Sequence, residues 1–210
     1  MKKIMFNDRY DLTQAVIEGR KTMTRRIINL NSTSDVTVRI FAGYIQIIGP
    51  IGNVCDEKKL PYKVGDVVAV AQNYSSFYNI LDNTTPIPEG AGWDNKMFVR
   101  ADLMPHQIRI TGIKYERLQD ISDADCLKEG IFVNEYFGNG KKCHHYGFDG
   151  FFNGTEGWFA RGWFDTPREA FAALIDKALT KVVRRVLDKS QVPNASIFVN
   201  IMRAVVWVFA

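Results

Sequence analysis

Apolar positions change period several times along the chain, and each change marks an element. Leu12, Ala15 and Val16 recur at helical spacing after Asn7 or Asp8, either of which can cap a helix start, and Gly19 suits the left-handed residue at which helices stop. Val36 to Phe41 and Tyr44 to Ile48 flank Ala42-Gly43, and Val36, Val38 and Ile40 give one apolar face, which predicts a β-hairpin. The run Val67 to Val70 after Gly65-Asp66 predicts a buried strand. Gln107 to Leu118 alternates through Ile108 and Ile110 and slips phase after Gly112, the pattern of a strand with a β-bulge there. Ser122 with Asp125 resembles a capping box opening a short helix that Gly130 ends, and Thr166-Pro167-Arg168-Glu169 predicts a longer one. That helix places Phe171, Leu174, Ile175, Ala178, Leu179, Val182, Val183, Val186 and Leu187 inward. Lys177, Lys181, Arg184, Arg185 and Lys189 form an outer basic stripe, either a solvated face or a footprint for phosphates. Ala204 to Phe209 is an apolar β run that has to be tied into a sheet. Strands and helices mixed without βαβ alternation predict an α+β fold or a partly open barrel with attached helices.

From Ile131 to Asp165 neither period survives. Eleven aromatic residues, among them Tyr136, Tyr146, Phe148, Phe151, Phe152, Trp158 and Trp163, interleave with seven glycines there, a content that argues against disorder. The segment reads as a long insertion, either a satellite core or a cover whose rings and neighbouring cations suit unstacked bases. With 210 residues, 46% hydrophobic and 24% charged, the chain can bury one full core, so a single domain over 1–210 with insertions at about 31–60 and 132–165 is expected. No apolar run reaches membrane-spanning length, the amino terminus meets Asn7, Asp8, Arg9 and Asp11 before any apolar stretch of signal-peptide length, and the expected location is cytoplasmic, with no membrane partner. Cys55, Cys126 and Cys143 are odd in number and far apart, which predicts reduced thiols. Cys143-His144-His145 lacks the spacing of a metal site, and neither metal nor cofactor is expected. A net charge of +4 permits a polyanion partner without requiring one.

Charge is most concentrated in Glu18-Gly19-Arg20-Lys21-Thr22-Met23-Thr24-Arg25-Arg26, where four cations and two hydroxyls follow the first predicted helix. The segment is a solvated turn, an extended strand or an anion site. In a regular strand Lys21 and Thr24 point to opposite faces, so a site shared by both requires a bulge or helical turn between them.

Gly19-Arg20-Lys21-Thr22-Met23-Thr24-Arg25-Arg26 resembles the "G-R-K-T-x-T-R-R" signature of the ASCH family, within the PUA-like superfamily. Tyr62-Lys63-Val64-Gly65-Asp66-Val67-Val68-Ala69-Val70 resembles that family's following strand. Further matches follow in order: Met104-Pro105, Ile108 to Ile113, Glu116 to Ile121, and Glu129-Gly130-Ile131, the last two similar to phage and prophage members. The resemblance implies an α+β, PUA-like partly open β-barrel with flanking helices and insertions. Some small members are amidohydrolases that deacetylate N4-acetylcytidine through a Lys, a Thr and a Glu. Lys21 and Thr24 match; the Glu position aligns with Gln72, and the Arg before it with Ala71. Glutamine is neutral and cannot serve as a general base, although Asp66 or Glu116 could replace it. The leading expectation is therefore non-catalytic binding of RNA, a nucleotide or a nucleoside, with DNA also possible, through a basic cleft of Arg20, Lys21, Thr22, Thr24, Arg25 and Arg26 beside Gln72, Asn73 and Tyr74. Tyr74 supplies a ring for stacking. The alternatives are an amidohydrolase of acylated nucleosides, with Lys21 and Thr24 catalytic, and a phage accessory protein acting through protein contacts.

Overall fold

The structure is a computed structural model describing residues 1–28, 37–77, 90–138, 140–148, 163–176 and 203–210. It is a mixed α+β chain. Strands β1 (Lys2–Ile4), β6 (Val67–Val70), β7 (Gln107–Arg117), β10 (Arg203–Phe209) and β2 (Met23–Ile28) form one sheet in the order β1-β6-β7-β10-β2. The apolar run at the end of the chain thus lies inside this sheet, antiparallel to β7 on one side and β2 on the other. β1 runs parallel to β6, and β6 antiparallel to β7. Among the described residues β1 and β2 do not pair, so the sheet is not a closed barrel; still, Arg26 Nη2 on β2 donates to Met5 O just after β1 at 2.9 Å. The two edges therefore curl toward each other.

The inner side of this curl holds the first core: Ile4, Phe6, Val68, Val70, Ile108, Ile110, Trp207 and Phe209, with Val16 from helix α1 (Leu12–Ile17). A second sheet, β3 (Thr37–Phe41), β4 (Tyr44–Ile48) and β5 (Val54–Lys59), covers it with Ile45, and Leu60 after β5 joins the same core. The predicted hairpin is β3–β4, turning at Ala42 (φ 48) and Gly43 (φ 84), consecutive positive angles that suit a two-residue hairpin loop. β5 was not foreseen, because Val-Cys-Asp-Glu-Lys-Lys shows little apolar alternation. The slip in β7 is confirmed: Val208 pairs with Gly112 and Phe209 with Ile110, leaving Thr111 as the extra residue.

The second core forms around helix α2 (Asp123–Lys128) and the helical residues 167–176, here α3, through Cys126, Phe171 and Leu174 with Tyr10, Leu118 and Phe148. Both helices start as their sequences predict. Ser122 Oγ accepts from Asp125 N at 3.1 Å, while Thr166 Oγ1 accepts from Glu169 N at 3.2 Å and Glu169 Oε2 accepts from Thr166 N at 3.3 Å. The basic stripe from Lys177 to Lys189 lies outside the described residues. The expectation of no regular structure between 131 and 165 is corrected in part: β8 (Phe132–Gly138) and β9 (Lys141–Gly147) make an antiparallel hairpin. Both its faces are partly exposed, so its side chains follow no apolar–polar alternation. No helix among the described residues is long and apolar enough to cross a membrane.

Candidate functional site

The basic segment splits in two according to the pleat of β2. Thr24 pairs with Trp207, which pairs in turn with Ile113, and Trp207 lies in the first core, so Thr24 and Arg26 face the inside of the curl. Arg25 pairs with Val206, itself paired with Lys114, and faces the other way, toward α2. Lys21 and Thr22 precede the strand and are pinned by backbone bonds: Lys21 N to Ala15 O at 2.8 Å, Thr22 N to Lys128 O at 3.0 Å and Phe209 N to Thr22 O at 2.9 Å. This irregular stretch carries Lys21 to the Arg25 side.

There Lys21 and Arg25 meet carboxylates below the surface. Lys21, 2% exposed, donates to Glu129 Oε2 at 2.6 Å and to Glu129 O at 2.7 Å. Arg25 donates to Glu129 Oε1 at 2.8 Å, from Nε to Glu116 Oε1 at 2.7 Å, and to Asp125 Oδ2 at 3.3 Å. Lys114 closes the group, 2.9 Å from Glu116 and 2.8 Å from Asp125. Three cations thus face three carboxylates. Burial pushes the Lys21 ammonium below the ordinary lysine range despite Glu129. Burial also works against the charge of Arg25, but Glu129 and Glu116 outweigh it and hold the guanidinium above its usual value. For Asp125, burial is outweighed by Lys114, Arg25 and Lys128, and its carboxyl lies below the usual range. The charges of Lys21 and Arg25 are therefore spent within the fold. Arg20 is exposed and pairs with Glu18 at 2.6 Å and Asp11 at 3.3 Å.

The inner side differs. Arg26 is exposed, and its one hydrogen bond among the described residues goes to a carbonyl, Met5 O. The same stretch of chain adjoins the end of β6, since Ala71 N donates to Ile4 O at 2.9 Å. Arg26 thus reaches Met5 from β2, and the residues after β6 adjoin the end of β1. The Lys96 ammonium donates to Phe6 O and lies 2.7 Å from Asp8. Gln72 Oε1 is buried and has no hydrogen-bond partner among the described residues. Asn73 Nδ2 donates to Ser75 Oγ at 2.9 Å. The expectation that Tyr74 offers its ring for stacking is corrected. Its side chain is 2% exposed, its hydroxyl accepts from Arg100 N at 2.9 Å, and its ring lies so close to Gly92 that a Cβ there would stand 2.6 Å away.

Of the proposed replacements for the glutamate, Asp66 is held by Lys2 at 2.7 Å and Glu116 by Arg25 and Lys114. The carboxylate that reaches Lys21 is Glu129, which the sequence reading did not place in the site. One signal pointed to it: an acidic residue at the carboxyl end of α2 opposes the helix dipole, and such a placement calls for a nearby cation. Lys96 carried no comparable signal.

The molecule is thus a mixed α+β protein in which a curled sheet separates a buried ion network from the side that holds the first core. No protein-family model matches the chain, and searches of curated proteins and of solved structures return no match.

Proposed function

We propose that the curled sheet is a PUA-like, partly open barrel of ASCH type and that its inner cleft binds a nucleotide or a nucleotide of an RNA chain without chemical change. Gln72 carries this proposal. A buried carbonyl oxygen without a donor costs about 1–3 kcal/mol, and a native fold pairs such a group with a water, an ion or a ligand. The N–H edge of a nucleobase is a donor of the right kind. Thr24 faces the inside of the curl and adds a hydroxyl, and Arg26, on the same face of β2, supplies an exposed cation for a phosphate. Because the group at position 72 is an amide, it orients a base and does not take a proton from it.

Titration calorimetry with cytidine, adenosine and uridine monophosphates tests this. At least one is expected to bind, and Gln72→Leu should weaken it by roughly five- to 150-fold, the equivalent of one buried hydrogen-bond partner lost. The proposal is abandoned if none binds at low salt, or if Gln72→Leu and Arg26→Ala both bind like the parent protein.

A second function, hydrolysis of an acylated nucleoside, takes Lys21 on Glu129 as its base and requires that this buried lysine, on the side of the sheet away from Thr24, become accessible to the substrate. A lysine of lowered proton affinity held on a carboxylate is a base pair of groups that Gln72 does not provide. Incubation with N4-acetylcytidine separates the two: release of cytidine that disappears in Lys21→Ala, at retained thermal stability, establishes hydrolysis.

A further inference from the structure

The β8–β9 hairpin carries a row of rings that neither core uses. Its register pairs Asn134 with His145 and Tyr136 with Cys143. Side chains alternate along each strand, so Phe132, Tyr136, Lys141 and His145 lie on one face. On that face the Tyr136 and His145 ring centroids are 4.4 Å apart, with the Tyr136 hydroxyl 3.0 Å from His145 Nε2. His145 lies 5.8 Å from Trp163, and Trp163 meets Phe132 edge-on at 6.0 Å. The base of the hairpin is anchored separately, through Tyr146 and Phe148 against the second core and through a bridge between Tyr146 and Phe164. A two-stranded hairpin is marginal alone and keeps aromatic side chains at its surface at a cost in solubility.

Charge on the hairpin is sorted by face. Glu135, its one carboxylate, points to the opposite side, where Lys142 lies 2.7 Å and His144 3.2 Å away. Lys141, at the tip of the ring row, has no carboxylate partner among the described residues. The exposed tip of the row is therefore aromatic and cationic, a combination complementary to bases joined by phosphates and unlike the acidic or purely apolar faces that dock helices.

We propose that this face is a stacking platform for single-stranded nucleic acid, with unpaired bases laid on Tyr136, His145 and Trp163 and a phosphate near Lys141. Every base has a π face, so such a platform tolerates any sequence but requires the strand to be unpaired. The proposal rests on the nucleotide-binding cleft and extends it to a longer ligand.

Fluorescence polarisation with a labelled ten-nucleotide oligouridine and with a duplex of equal length tests it, beside calorimetry with the mononucleotide that the cleft binds. Tyr136→Ala and His145→Ala should each weaken single-strand binding by roughly five- to 150-fold, as expected for one stacked base lost. Tyr136→Phe should retain affinity, while Tyr136→Leu, which keeps apolar volume without a π face, should behave like the alanine variant. Mononucleotide binding should not change in any of them. The platform is ruled out if the alanine variants bind oligouridine like the parent protein, if Tyr136→Leu does so, or if duplex binding falls in parallel. Parent protein that binds the mononucleotide but no strand rules out the platform and leaves the cleft; strand binding without mononucleotide binding, lost in Tyr136→Ala, does the reverse.

Discussion

Glu129→Gln removes the charge on which the buried network turns while keeping the size of the side chain. Among the described residues the Lys21 ammonium has two polar contacts, and both are to Glu129, one to its carbonyl and one to its carboxylate. After the change its ammonium has no counter-ion in contact, whereas Arg25 retains Glu116 and Asp125. Removing one partner of a buried pair costs about 3–5 kcal/mol, because the remaining charge stays desolvated. The loss has a ceiling. Lys21 can release its proton, and for a lysine of ordinary affinity that costs about 5 kcal/mol at neutral pH. For a chain of this length the expected fall in melting temperature is roughly 10 °C, at about 2–4 °C per kcal/mol. Urea titration at neutral pH with linear extrapolation measures the change directly. Adding Lys21→Met to Glu129→Gln should restore part of the loss, since the stranded cation is then gone. A Glu129→Gln protein within about 0.5 kcal/mol of the parent refutes the reasoning, because an error of that size is all that denatured-state effects ordinarily account for.

Two further outcomes follow from the same burial pattern. Between the lowered folded value of Lys21 and the ordinary lysine value, the unfolded chain binds a proton that the native protein does not, so stability from this group increases as pH rises through that window. In Lys21→Met this increment should vanish, and unfolding free energies of the two proteins measured between neutral pH and pH 10 should diverge. Cys126 is fully buried and its thiol is pushed up to about 12, while Cys55 is exposed. A thiol reagent on native protein should therefore label Cys55 rapidly and Cys126 only on unfolding; rapid labelling of Cys126, found by peptide mapping, contradicts the packing around α2.

What the sequence made legible were the elements with strong local signals. Ser122 and Thr166 cap helices with the bonds their spacing demands, Ala42-Gly43 turns a hairpin, and the phase slip at Gly112 coincides with an extra residue in β7. These features are settled by neighbours a few positions away. β5 and the β8–β9 hairpin were missed because their side chains are exposed on both sides or mixed in character, and alternation arises only when one face is buried and the other is not. In the site, residue identity indicated which groups matter but not which way they face. Tyr74 looked available until its ring proved to be packed against Gly92, and Glu129 lies 108 residues from the lysine that it holds. A contact over such a separation leaves no trace in local spacing.

The pleat of β2 gives the basic motif two separate tasks, and this determines which experiments can bear on binding. Arg25 faces α2 with Glu116, Asp125 and Glu129, and Lys21 is drawn to the same side by the irregular stretch before the strand. These two cations join the sheet to the end of α2. Thr24 and Arg26 face inward, and Arg26 reaches across to Met5 O. A variant lacking Lys21 or Arg25 loses a buried counter-ion, and lost binding in it reports on the fold as much as on the cleft. Arg26→Ala removes an exposed side chain whose hydrogen bond among the described residues goes to a backbone carbonyl, so its structural cost is expected to be small, within about 1 kcal/mol. The inward half of the motif is therefore where contact with a ligand can be separated from stability, although the outward half holds the more deeply buried charges.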